Sequence, residues 1–334
     1  MATDYNAAYT IDGATNTPAY GAFGTEVVLK REWTNIWLRK MPLLAMIYDG
    51  KANWNKGSNV NGTRILIPTM VAQMTTVADG VADASELTPI TPHGTDGFSQ
   101  AMYEISHYQG ATYITASEMR LINNARGDFK GGKMKQAMDS FSNAIADDLC
   151  GTSADARANV VGIQQVIATS NTVGGIAQGT YTDWAGLLQT GAGAFVLDLI
   201  SDRADLVSAR GGSSKLGLFS STSTNNVWGK LKAAIGAAER ITNNDFKKKY
   251  GITNIEYEDI TCVMENRITG TGATDGRFYL LDTDHWYFRG DETPNLYPKQ
   301  RLEGTGADEY YFDQFLAVGC GDPGKQAGVQ GITA

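Results

Sequence analysis

Thr63-Arg-Ile-Leu-Ile-Pro-Thr-Met-Val71 and Phe98-Ser-Gln-Ala-Met-Tyr-Glu-Ile-Ser-His-Tyr-Gln-Gly-Ala-Thr-Tyr-Ile-Thr115 are dense in β-branched and aromatic residues and read as strands, the second as one or two of them. The stretch joining them, residues 73–97, has no helical or strand period and gathers turn-forming residues near its end, at Pro89, Pro92 and Gly94. A structureless connection of that length is uncommon inside a compact domain. The economical solution is a long two-stranded finger whose tip projects from the body.

On the N-terminal side, residues 1–23 are small and polar without periodicity, as expected of an arm that lies on another surface. From Thr25, a suitable N-cap, Leu29, Trp33, Ile36, Trp37 and Met41 recur at helical steps until Pro42 stops the run. A stripe with two tryptophans so close to a polar terminus needs a partner, either the body of its own chain or a neighbouring copy. On the C-terminal side, Met134, Met138, Phe141, Ile145 and Leu149 step by four, three, four and four after Gly131-Gly132. Lys133, Lys135, Asp139, Asn143 and Asp147 fall off that line. The spacing predicts a helix of about 18 residues and about 27 Å, with Gly151 at the C-cap position.

Farther on, Phe195, Val196, Leu199, Ile200, Leu206 and Val207 predict an amphipathic helix over 193–210. A short strand Leu216-Gly-Leu-Phe219 and a helix through Val227, Leu231 and Ile235 follow. After a basic turn at 245–250, strands are expected at 252–265, 277–288 and 310–320. The fold class is α+β.

The 334 residues make room for about two domains. Fifteen Tyr, eleven Phe and six Trp exclude a solvated, disordered chain, and no apolar run approaches the ~20 residues of a membrane-crossing helix. Lys+Arg 28 against Asp+Glu 36, a net charge of −8, lacks the basic footprint of a dedicated nucleic-acid binder. The first residues carry neither a cationic start nor an apolar core, so no secretory signal is read and synthesis in the cytosol is expected. Cys150, Cys262 and Cys320, odd in number and without paired spacing, read as buried small hydrophobes.

The chemistry-bearing motifs fail on inspection. Gly319-Cys-Gly-Asp-Pro-Gly-Lys325 fits the letters of a phosphate-binding loop, but Gln326 stands where Ser or Thr must hold magnesium, and too little chain follows for the helix that would receive the phosphate. Gly270-Thr-Gly-Ala-Thr-Asp-Gly276 has the wrong spacing for a dinucleotide fingerprint. His93, His107 and His285 are scattered, with no second ligand at metal spacing, and His107 and His285 read as structural imidazoles. Asp282, Asp284 and Asp291 lack the order of a calcium loop and read as a solvated loop edge. No catalytic residue, metal or cofactor is expected, and the chain is not read as an enzyme.

The order of arm, aromatic helix, finger between strands, long helix, Gly-rich helix–strand–helix segment and returning strands resembles the major capsid proteins of tailed bacteriophages, the Hong Kong 97-like fold. Local text agrees: Val161-Gly-Ile-Gln-Gln-Val-Ile-Ala168, Thr172-Val-Gly-Gly-Ile176 and Trp184 look like the segment leaving the spine helix in one branch of these proteins. Asp282-Thr-Asp-His-Trp-Tyr-Phe288 looks like its returning strand, and Cys320-Gly-Asp-Pro-Gly-Lys-Gln-Ala-Gly-Val-Gln-Gly-Ile-Thr333 like its closing tail.

The resemblance implies an N-arm over 1–60 and an extended loop over 61–115. It further implies a peripheral domain of 116–151 and 252–300 that holds the spine helix, and an axial domain of 152–251 and 301–334. It implies hexamers and pentamers closing into an icosahedral shell around double-stranded DNA held non-specifically, with a separate scaffolding protein, a portal and a possible decoration protein as partners. The chain would be made in the host cytoplasm and reside in the virion capsid. The intersubunit contacts expected on that basis are Leu29, Trp33, Ile36, Trp37 and Met41 of the arm, and Ile65, Ile67, Met102, Ile105 and Tyr108 of the finger, resting on an adjacent subunit. Lys51, Lys56, Lys130, Lys133, Lys135 and Lys247-Lys-Lys249 are candidates to face DNA or acidic edges, with a solvated face the alternative. Two other readings stay open: an encapsulin-type compartment of the same fold, and an α+β enzyme using the Gly319–Lys325 loop.

Overall fold

The computed structural model describes residues 43, 55–57, 64–70, 98–115, 129–151, 160–221, 225–236, 254–268, 274–291, 295–297, 300–301 and 307–333. The chain divides into two compact units: 1–38 with 107–144 and 293–314, and 39–106 with 145–292 and 315–334.

The larger unit is organised by a six-stranded sheet in the order Leu187–Gln189, Ala327–Ile332, Gly276–Leu281, Leu216–Phe219, Ile260–Met264, Asn254–Tyr257. All four residues of Leu216–Phe219 are buried, as a central strand covered on both faces requires. Period-two alternation sends Phe219, Phe278 and Leu280 into one core with Ile200 and Val207 of helix Asp198–Ala209 and with Val227, Trp228, Leu231 and Ile235 of helix Val227–Ile235. Phe219 stacks on Phe278 with centroids 5.1 Å apart. The second helix starts at Asn226, whose Oδ1 accepts the Gly229 N–H at 2.7 Å. Tyr279 points the other way. Its hydroxyl accepts from Gln330 Nε2 at 2.8 Å, and Gly328 lies so close that a Cβ there would meet the ring at 2.6 Å. Burial pushes the Tyr279 hydroxyl up to about 12 and the Cys262 thiol up to about 12.

The same unit holds Trp286–Gly290, which pairs antiparallel with 316–320 and parallel with Asn55–Gly57. It also holds the two-stranded ribbon of Arg64–Met70 and Phe98–Glu104, and the small hairpin Thr172–Val173/Ile176–Ala177. In the smaller unit, 307–314 pairs with Asn295–Leu296 and Gln300–Arg301 and lies beside Ser106–Thr115. Phe141 sits edge-on to Phe312 at 5.1 Å and to Tyr108 at 6.2 Å. Gly110 leaves room for the Phe312 ring, which an added Cβ would meet at 2.2 Å. His107 Nε2 and the Tyr297 hydroxyl both reach Asp313 Oδ2, at 3.1 and 3.0 Å.

Several expected boundaries move. The long helix runs Phe129–Cys150, about 33 Å, and Gly151 follows it without left-handed backbone. Of its expected core, Phe141, Ile145 and Leu149 are buried and Met134 and Met138 half-buried. The helix expected over 193–210 starts at Asp198, because Gly193 takes φ +72 and bridges to Ile332 instead. The strand expected over 252–265 is a hairpin turning at Glu258-Asp259, and that over 277–288 is interrupted by a 3-10 turn at Thr283–His285. Strands 254–257, 260–264 and 276–281 hydrogen-bond into the sheet of 216–219.

Candidate intersubunit surface

The base of the finger is the antiparallel ribbon, in register from Arg64↔Glu104 to Met70↔Phe98. Residues directly opposite share a face, so Ile65, Ile67 and Thr69 face inward with Tyr103 and Ala101, all buried. Leu66, Pro68, Gln100, Met102 and Glu104 face outward. Leu66 is 53% exposed and Met102 39%, and they stand opposite each other.

Three contacts hold the inward face to the body of the same unit. The Tyr103 hydroxyl donates to the Cys320 carbonyl at 2.5 Å, and burial raises its pKa well above the ordinary tyrosine value. The bare Cα of Gly319 lies under the Tyr103 ring, where a Cβ would come within 2.5 Å. The Met102 N–H donates to the Gly174 carbonyl at 2.9 Å, and a Cβ at Gly174 would lie 2.8 Å from that of Ala101. Gly174 and Gly175, at φ +59 and +81, supply the tight turn that this approach requires. Trp184, also buried, donates from Nε1 to the Val173 carbonyl at 3.3 Å and braces the hairpin.

Ile65 and Ile67, expected as intersubunit contacts, are buried within the single chain. Met102 is on the outward face. Ile105 and Tyr108 are half-buried, the latter against Phe141. Leu29, Trp33, Ile36, Trp37 and Met41 lie outside the described residues, as do the finger tip 73–97, Lys51 and Lys247–Lys249. Leu66 and Pro68 were not expected on this surface. Residues 65–67 are apolar in unbroken succession, so alternation alone gives no choice of face.

The motifs set aside in the sequence resolve as structure. Gly319–Lys325 is a strand end followed by the 3-10 turn Pro323–Lys325 and another strand, with no helix to receive a phosphate. Gln326 is buried, and its Oε1 accepts from the Asp282 N–H at 2.9 Å and from Trp286 Nε1 at 3.0 Å. Asp282 is therefore not a solvated edge. It is buried and accepts from the Ser213 N–H at 2.9 Å and the Asp284 N–H at 3.1 Å. The three cysteines are free and buried, with burial raising each thiol pKa. Glu265 and Arg267 form a buried pair at 3.4 Å, and Arg267 also reaches Asp147 at 2.8 Å. Burial raises the Glu265 pKa, with Arg267 pulling against it. Among the described residues no group of three or more His, Cys, Asp or Glu is placed to hold a metal, and no helix is long and apolar enough to cross a membrane.

The fold is shared with solved structures. The chain superposes on a chain of the cyanophage A-1(L) capsid with a TM-score of 0.66 at 16% identity, covering 92% of this chain and 97% of that one. This is the fold of tailed-phage capsid shells. The Hong Kong 97-like fold also relates it to the capsid of a native GTA particle, with a TM-score of 0.59 at 13% identity over 97% of this chain and 99% of that one. An encapsulin from Synechococcus elongatus PCC 7942 shares the fold, with a TM-score of 0.56 at 9% identity over 95% and 96% of the two chains. No sequence-family profile matches the chain, and no curated protein matches it in sequence.

Proposed function

We propose that this chain is the major capsid protein of a tailed bacteriophage, assembling as hexamers and pentamers into an icosahedral shell around double-stranded DNA. The observation that carries this reading is the end-to-end superposition, over nine-tenths of both chains, on a phage capsid subunit. The outward ribbon face adds to it. Leu66 and Met102 leave apolar surface in water on the outward face of the ribbon, and burial against a neighbouring copy recovers about 25 cal/mol per Å². Residues 1–60 then serve as the arm and 61–115 as the extended loop, with Trp33 and Trp37 as anchors worth about 2 kcal/mol each across a contact. Several such contacts per subunit multiply into a stable shell. The role is structural, not catalytic. A separate scaffolding protein, a portal and, in some particles, a decoration protein complete the set of partners, and the chain is made in the host cytoplasm before entering the virion.

The likeness to an encapsulin supports a second reading, a protein compartment loaded with cargo enzymes. Electron microscopy of the expressed full chain, alone and with scaffold, tests the first reading, and the nucleic-acid content of the phage particle separates the two. Closed particles with packaged DNA are expected. Particles filled with a protein cargo instead of DNA would transfer the assignment to the compartment, and a chain that stays monomeric under every condition would remove both.

A further inference from the structure

The smaller unit carries a concavity that the contacts above leave unused. Along Ser106–Thr115 every second residue turns outward, and the exposed row is His107, Gln109, Ala111 and Tyr113. Ala111 is the small member of that row, and its neighbour Gly110 has no side chain, so the surface sinks between larger residues. Together with Tyr297, Tyr311 and Asp313 they line a cavity of about 440 Å³.

Its charge has one sign. Asp313 lines the cavity, and among the described residues no Lys or Arg does. The Asp313 side chain is only 10% exposed. Its Oδ2 accepts from the Tyr297 hydroxyl at 3.0 Å and lies 3.1 Å from His107 Nε2, which compensates the charge only when the ring is protonated. Oδ1 is buried and has no hydrogen-bond partner among the described residues, an uncommon state for a carboxylate oxygen in a native fold. Shut off from water, this carboxylate acts on the cavity with little solvent screening, so contact with Oδ1 is not required for its charge to be felt. The two tyrosines are exposed, and their rings offer electron-rich faces. The Tyr311 hydroxyl donates to Glu309 Oε2 at 2.6 Å, which holds that ring and places a second carboxylate beside it.

We propose that this cavity is a binding site for an organic cation, a guanidinium or ammonium group seated against the rings of Tyr297 and Tyr311 and compensating the charge of Asp313. An anion is repelled by Asp313 and Glu309, and a neutral ligand covers the rings but leaves the buried charge as it was. Only a cation answers both the aromatic wall and the carboxylate. A planar guanidinium stacks on a flat ring as a compact ammonium does not, so arginine chemistry is preferred over lysine chemistry. The site is complete within one copy of the chain and exists whether or not a shell forms.

The test is calorimetric titration of the full chain with N-acetyl-arginine amide, against its neutral isostere N-acetyl-citrulline amide and against N-acetyl-lysine amide. Saturable binding of the arginine probe is expected, weaker binding of the lysine probe and none of the citrulline probe. Asp313→Asn, which keeps the size and removes the charge, should weaken the arginine probe about tenfold. Tyr311→Leu, on the surface, should weaken it about two- to fivefold. Ala111→Leu alters no charge and fills the cavity, so it should abolish binding with the melting profile of the subunit unchanged. Equal binding of the arginine and citrulline probes, no binding of the arginine probe, or binding that Asp313→Asn and Ala111→Leu both leave intact would overturn the site. Particle yield then tells the source of the cation, and this arm alone rests on the shell reading. Loss of particles with Ala111→Leu and with excess arginine probe assigns the site to an arginine of a neighbouring copy, and unchanged yield in both assigns it to a free cation.

Discussion

Replacing Gly319 by Ala tests how the finger is fixed to the body. Backbone strain plays no part, because Gly319 is not in the left-handed region. The added methyl would sit 2.5, 2.8 and 2.9 Å from three carbons of the Tyr103 ring, against an ordinary separation of about 3.5–4 Å. The ring would have to withdraw by about 1 Å, yet it is 2% exposed and its hydroxyl is tied to the Cys320 carbonyl at 2.5 Å, one residue from the methyl. Overpacking of this kind costs about 1–3 kcal/mol, and a strained or lost buried hydrogen bond about 1 kcal/mol more, giving about 2–4 kcal/mol. Tyr103→Leu empties the space the methyl needs, so the double variant should be less destabilised than the two single losses added together, by about the overpacking term. Urea unfolding of the unassembled subunit, followed by tryptophan fluorescence, reads all three variants. Additivity to within about 0.5 kcal/mol, or a Gly319→Ala subunit as stable as its parent, would refute the packing described for this joint.

The two faces of the ribbon should respond in opposite ways. Leu66→Ser and Met102→Ser should leave the subunit's urea midpoint almost unchanged and suppress particle formation. Ile65→Ser and Ile67→Ser should cost about 2–4 kcal/mol of subunit stability, and equal effects on both faces would contradict the alternation. The cysteines should resist alkylation at pH 8 until the chain unfolds, as a thiol count with and without urea will read. Cys262 and Tyr279 are both pushed up to about 12 from ordinary values of 9.0 and 10.0. Their stabilising contribution is therefore complete below about pH 9 and lost as pH rises toward 12, which an alkaline unfolding curve should show, with Cys262→Ala shifting the midpoint upward. Gln326→Leu strands the Asp282 N–H and the Trp286 indole N–H and should cost about 2–4 kcal/mol in the same urea assay.

The elements were legible where local pattern decides them. The four- and three-residue steps of Met134 to Leu149 specify the long helix without help from the rest of the chain, and Leu216–Phe219 is bounded as read. The pairing of the returning strands was not legible, because the apolar residues of 254–264 and 276–281 specify strands that bury a face and carry no mark of which sheet will receive them. The direction of the ribbon was hidden for a related reason. Ile65, Leu66 and Ile67 differ little in hydrophobicity, and the choice between faces is made by Gly319, more than 200 residues away, which opens the space for Tyr103. Asp282 read as a solvated edge because its partners, Ser213 and Gln326, are distant in sequence. The turn at Glu258-Asp259 carries no Asn-Gly or Asp-Gly signature, so one long strand was expected in place of a hairpin.

The most direct measurement is electron microscopy of the full-length chain after co-expression with a scaffolding protein, alongside the Leu66→Ser/Met102→Ser variant. Closed, uniformly sized particles from the parent and dispersed subunits with intact secondary structure from the variant are the predicted result. Dispersed subunits from the parent under the same conditions, or particles from the variant indistinguishable from those of the parent, would contradict it.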